Sequence, residues 1–212
     1  MNARLRLSLM TTAVVLLGVI VVLVVSRPDD SGTSDPDGIQ SAGSPYEGAS
    51  RRGIPSPAFD LKDQDGRQVS LASLRGKPAI VTFMYSTCED TCPATARQIS
   101  SALDDLGDDR VPAVIISVDP KNDTPSNAQQ FLNRMRLGGR AEYVLGSREQ
   151  LEPIWRAYGI QEQGKGFEHT ATVLVLDAQG RQQVSWPVDQ MTDKKLAHDV
   201  RVVQSQGAGA AR

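Results

Sequence analysis

The chain has 212 residues and a formal charge of -2, from 23 Lys+Arg against 25 Asp+Glu. That balance excludes the large basic surface that would neutralise many phosphates, so nucleic acid is not an expected partner. Two cysteines are too few for a disulfide scaffold and fall in one short stretch, which marks a site rather than a framework. The length suits one ordinary domain with additions.

Arg4 and Arg6 precede an uncharged, largely aliphatic run from Leu7 to Ser26. As a helix these residues would extend about 30 Å, enough to cross the hydrocarbon core of a bilayer. Residues 1–27 are therefore expected to form a cytoplasmic N-terminus and a single transmembrane anchor in the cell membrane. Basic residues on the near side and Arg27, Asp29 and Asp30 on the far side place the remainder outside the cytoplasm. A cleaved signal peptide, cut near Ser26, is the alternative and leaves the same part exported. Residues 28–50 carry five acidic and no basic residues and little that is large and apolar. They are expected to be a disordered acidic linker, because such a segment cannot bury enough surface to offset the entropy of ordering it.

Residues 51–212 are expected to form the domain. Phe59 to Leu61 and Gln68 to Leu71 read as short strands around an Asp-Gly turn. Pro78 to Tyr85 is a continuous apolar run, as in a strand buried on both faces of a sheet. Pro93 suits the first position of a helix with Cys92 as its cap, and Ala96, Ile99, Leu103 and Leu106 give that helix an apolar stripe. Val111 to Val118 is a second buried strand. Thr124-Pro125 opens a helix that stops at Gly138-Gly139. Tyr143 to Leu145 is a short strand, and Ser147 with Gln150 forms a capping box for a helix carrying Leu151, Ile154, Trp155 and Tyr158. Gly159 to Gly166 is a polar, glycine-rich loop. Thr170 to Leu176 and Gln182 to Trp186 form a hairpin. Thr192 caps a last helix, with fraying expected from Gln204. Strands alternating with helices predict an α/β fold with a central sheet covered on both faces.

In such sheets ligands bind beyond the carboxyl ends of the strands, where Cys88 and Cys92 stand. The segment YSTCEDTCP, residues 85–93, places the thiols four apart, so that they meet on one helical face. Two thiolates on one point suit a soft cation, and the separation also admits a disulfide. Glu89 and Asp90 between them raise the cost of an unmetallated thiolate, whereas a helix start lowers it. A local structural disulfide is a third reading. Of the two histidines, His198 has no evident partner, whereas His169 ends the glycine-rich loop ahead of a buried strand and can complete a Cys-Cys-His set. That set accommodates copper, and on ligand type alone zinc.

Together, YSTCEDTCP, then SVDPKNDTP at 117–125, then FEHTATVLVLDAQG at 167–180 resemble the Sco/SenC family of membrane-tethered, thioredoxin-like copper proteins over about residues 54–204. The resemblance implies a thioredoxin-like fold in which Cys88, Cys92 and His169 bind a copper ion, Cu(I) or Cu(II). It implies delivery of that copper to the binuclear site of cytochrome c oxidase subunit II, with a separate copper-donating protein upstream. The alternative is a thiol-disulfide reductase in which Cys88 and Cys92 are catalytic and keep the oxidase's copper-site cysteines reduced; a copper or redox sensor is a weaker third. Asp119 and Asp123 fall in the family's aspartate-bearing segment, with Asp119 expected near the site and loop or cap chemistry as the plain reading of both. Met84, Tyr85 and Phe167 are candidate lining residues, with core packing preferred for Met84. Two departures from ordinary thioredoxins are evident: three residues separate the cysteines, and Ala171 stands where a proline would precede the strand. A peroxiredoxin would want a proline seven residues before its cysteine, where Val81 stands.

Overall fold

The computed structural model describes residues 43–107, 111–160 and 172–210. Eight strands and four α-helices follow in the order β1 (Ala49–Pro55), β2 (Asp60–Lys62), β3 (Gln68–Ser70), β4 (Ala79–Met84), α1 (Thr91–Leu106), β5 (Ala113–Ser117), α2 (Pro125–Arg134), β6 (Ala141–Val144), α3 (Arg148–Tyr158), β7 (Thr172–Leu176), β8 (Arg181–Pro187) and α4 (Asp193–Ala210). Six strands make one mixed sheet in the order β1-β8-β7-β4-β5-β6, and β2 and β3 form a separate hairpin. β4, β5 and β6 run parallel, while β7 is antiparallel to both β4 and β8.

Every residue of β4 and β5 is buried, which explains their unbroken apolar runs: in the middle of a sheet clad in helices, neither face meets water. The register pairs Ile80 with Ala113 and Met84 with Ser117, so the two strands end together. α1 packs against α4, and α2 packs on β6. Tyr158 of α3 lies over the Phe83 ring of β4, with centroids 5.2 Å apart.

The local signals act as their chemistry dictates. Thr124 caps α2 by accepting the Asn127 N–H at 3.2 Å, a bond of a kind that contributes about 1 kcal/mol. Ser147 and Gln150 form a reciprocal capping box at the start of α3, and Gly159 ends that helix in the left-handed region at φ 69°.

Several boundaries depart from the expectations above, among them the end of α2, which stops at Arg134 rather than at Gly138-Gly139. The ordered domain begins earlier than residue 51: β1 starts at Ala49, and residues 46–48 dock on α4, so the end of the expected 28–50 linker belongs to the sheet. Here the Asp199 carboxylate, fully buried, accepts the N–H groups of Glu47 and Gly48 at 2.8 and 3.0 Å and the Trp186 indole N–H at 3.0 Å. β1 also carries an irregularity between Ser50 and Ile54, with Arg52 and Gly53 both at positive φ. Next, α1 begins at Thr91, so Cys92 lies within the first turn and Asp90 is the cap. Pro93 is accommodated because the first turn has N–H groups with no intrahelical acceptor. Finally, α4 continues to Ala210 rather than fraying from Gln204.

Among the described residues no helix is long and apolar enough to cross a membrane. The expected anchor at 1–27 and most of the linker lie outside those residues.

Candidate dithiol site

β4 delivers the chain to the site. Beyond Met84 the backbone turns through Tyr85 and Ser86, and Cys88 is held by donating its N–H to the Tyr85 carbonyl at 3.2 Å. Four residues on, the Cys92 N–H donates to the Cys88 sulfur at 3.4 Å. The first turn of α1 therefore closes over Cys88 Sγ, where free N–H groups and the helix dipole favour negative charge. Both cysteines are reduced, with no disulfide between them, and both are buried.

The two sulfurs are not equivalent. The Cys92 thiol shares a hydrogen bond with Cys88, and that contact, with burial second, pushes its pKa far above the ordinary thiol range. Burial, followed by a bond to the same Cys88, raises the Tyr85 hydroxyl. Cys88 Sγ thus accepts the Cys92 amide, and the Cys92 thiol and the Tyr85 hydroxyl both lie against it.

Beneath the loop lies a carboxylate whose weight the sequence reading understated. Asp123 is buried; its Oδ1 accepts the Ser86 N–H at 2.7 Å and the Ser86 hydroxyl at 2.6 Å. Its Oδ2 accepts the Ser117 hydroxyl at 2.5 Å and faces the Tyr143 hydroxyl at 3.1 Å. Burial raises the Asp123 pKa against the opposing pull of these donors. One side chain thereby joins the cysteine loop to the end of β5, to β6 and to the lead-in of α2. Asp119, expected closer to the site, is half-exposed and accepts the Asn122 amide at 2.7 Å, which is loop chemistry. The clue to Asp123 was available: an acid beside a helix cap, close after a buried strand that ends in Ser117, has hydroxyls within reach.

Met84 lies in the core, and its carbonyl accepts the Val118 N–H. His198 is on α4, its Nε2 3.2 Å from the Pro45 carbonyl. His169 and Phe167 lie outside the described residues. Among the described residues no group of three or more His, Cys, Asp or Glu side chains is arranged to hold a metal ion. The two sulfurs thus stand as a pair.

A mixed sheet flanked by helices, with a reduced dithiol where the central strand meets a helix N-terminus, defines a thioredoxin-like dithiol domain. The SCO1/SenC family model matches residues 48–204, and the chain belongs to that family. Among solved structures it is similar to Bradyrhizobium japonicum ScoI with copper bound, at 28% identity and a TM-score of 0.61, over 71% of this chain and 99% of that one. It is similar in fold to BsSco, a member of the Sco family of cytochrome c oxidase assembly proteins in which a disulfide switch has been identified, at 22% identity and a TM-score of 0.64, over 73% and 95% of the two chains. A mitochondrial SCO1 homolog 1 of Arabidopsis thaliana is 32% identical over 108 residues, 48% of this chain and 31% of that protein. The chain spans 52 to 64% of the length of the first curated relatives it matches.

Proposed function

We propose that this chain is a copper-binding assembly factor that receives copper from a donor protein and delivers it to the binuclear copper site of cytochrome c oxidase subunit II. The observation that carries the proposal is the pair of reduced, buried thiols converging at the end of β4 in a chain of the SCO1/SenC family. Thiolate sulfur is a soft donor, and two such donors with one imidazole match Cu(I) better than the hard cations that prefer oxygen. Cys88 and Cys92 supply the sulfurs, and His169, three positions ahead of β7 in the sequence, supplies the third donor. Copper is cargo here: an incoming thiolate of the acceptor replaces these ligands one at a time. The basic residues ahead of the Leu7–Ser26 run support an anchor in the cell membrane with the domain on the extracytoplasmic side, on the same face as an exported copper site.

A second reading has its own support. The amide-to-sulfur contact between Cys92 and Cys88 is the geometry that activates a thiol for disulfide exchange, so Cys88 and Cys92 could reduce the oxidase's copper-site cysteines.

An anaerobic Cu(I) titration of the reduced full-length chain in detergent, against a competing chelator, separates the two readings. One tight equivalent lost in both Cys88→Ser and His169→Ala supports copper delivery. Binding indifferent to His169, together with rapid disulfide exchange, supports the reductase and overturns the copper reading.

A further inference from the structure

A cleft of about 250 Å³ opens beside Cys88, bounded by the Ser86–Glu89 loop on one side and by Asn127, Gln130 and Arg134 of α2 on the other. Cys88 lines it; Cys92 does not. The three α2 residues are spaced i, i+3 and i+7, so they share one helix face, and all are polar. The Arg134 guanidinium donates to the Ser86 carbonyl at 3.3 Å, which holds it at the cleft. Among the described residues it has no carboxylate partner, as is also true of Arg51, Arg52, Arg75, Arg97 and Arg181, whereas Arg67, Arg136, Arg140, Arg148, Arg156 and Arg201 each have one. Gln130 and Asn127 direct their amide N–H groups to Ser126 and to the Asn122 carbonyl. Their own side-chain carbonyls remain available as acceptors for peptide N–H groups.

We infer that this cleft is a recognition subsite for a cysteine-containing peptide segment of the partner protein, and that Arg134 selects an acidic residue lying beside the partner's cysteine. The inference rests on the reading that Cys88 exchanges copper or sulfur with another protein, and it specifies which face of the site that protein meets. An arginine fork is the side chain suited to a carboxylate, and an exposed pair of this kind changes encounter and orientation more than affinity. Glu89 at the lip adds selectivity by repelling an acid placed on the opposite side of the incoming cysteine.

The test uses the reduced full-length chain and two synthetic peptides, acetyl-Gly-Cys-Gly-Glu-Gly-amide and its Gln counterpart, each with its cysteine activated as the 2-pyridyl disulfide. The Cys88 thiolate attacks the peptide sulfur, the bond to the pyridyl sulfur breaks, and 2-thiopyridone leaves with the electron pair. Cys92 then loses its proton to solvent and attacks Cys88 Sγ, releasing the peptide thiol. The protein dithiol is oxidised and the activated disulfide reduced. Release of 2-thiopyridone is followed by absorbance.

The Glu peptide is expected to react about threefold faster than the Gln peptide, the scale of one exposed ion pair. Arg134→Gln is expected to abolish the difference without slowing the Gln peptide, and Arg134→Lys to retain part of it. About 1 M salt, where the screening length is ~3 Å, is expected to erase it. Equal rates in the wild type, or a preference that survives Arg134→Gln, overturns the inference. The Cu(I) titration on the same variant keeps the two questions apart. Wild-type copper affinity with a lost charge preference supports the subsite, whereas failure of copper binding in the wild type overturns the copper reading and leaves the subsite standing.

Discussion

The Asp123 carboxylate holds Ser86 by both its backbone N–H and its hydroxyl, two residues ahead of Cys88. The loop carrying the first thiol is therefore fixed from below, by a residue 37 positions away in the chain. Asp123→Ala leaves the Ser86 amide and the Ser117 hydroxyl buried without an acceptor, at about 2–4 kcal/mol in total. Denaturant unfolding of the reduced protein should show that loss. Asp123→Asn, which keeps one acceptor oxygen, should lose less.

His169→Ala should lower Cu(I) affinity by at least about tenfold, as expected for removal of one donor from a three-donor set. Competition against a chelator of known affinity reads this directly, and unchanged affinity would exclude His169 as a ligand.

Glu142 gives a pH prediction. It is half-buried, one of its carboxylate oxygens has no hydrogen-bond partner, and burial raises its pKa. A raised folded-state pKa means that the folded protein holds the proton more tightly. The group's favourable contribution is thus complete below the unfolded carboxylate pKa and is lost as pH rises through the folded value. Glu142→Gln should therefore stabilise the protein at neutral pH, by a few tenths of a kcal/mol after solvent screening, and have no such effect at about pH 3. Thermal melts at the two pH values measure the difference.

At the sheet edge, a Cβ built on Gly48 would fall 2.6 Å from both Trp186 and Val184. Gly48→Ala should cost about 1–3 kcal/mol, because the ring is buried and cannot retreat. Chemical denaturation of the variant checks this.

Asp199→Ala should release residues 46–48 from α4, since it removes the acceptor for two backbone N–H groups and the Trp186 indole. Limited proteolysis should then cut near Tyr46, where the wild type resists.

Much of the architecture was legible because single residues carry single-valued signals. The apolar run ending at Tyr85, the Thr124-Pro125 start and the Ser147/Gln150 box each act within a few residues, and each appears where expected. β1 was illegible because Ser50, Arg51, Arg52 and Gly53 show neither alternation nor β-propensity; β8 creates that strand by offering an open edge. α4 continues past the predicted end at Gln204, where the Tyr46 hydroxyl, from a residue 160 positions away, donates to the Gln206 side chain at 2.6 Å. At the site, the spacing of Cys88 and Cys92 was plain, but the role of Asp123 was not. Its partners Ser86, Ser117 and Tyr143 come from three separate elements, and only folding brings them together.

The irregularity in β1 also bears on how copies of this chain tolerate one another at high concentration. β1 forms one border of the six-stranded sheet, and a straight border strand offers a row of unpaired amides and carbonyls to any neighbour. Arg52 and Gly53, turned to φ 51° and 71°, break that row at its middle and leave two cationic side chains, Arg51 and Arg52, beside the break. A second molecule approaching this edge meets a kinked, positively charged border, so the strand that completes the sheet also protects it against self-templated aggregation.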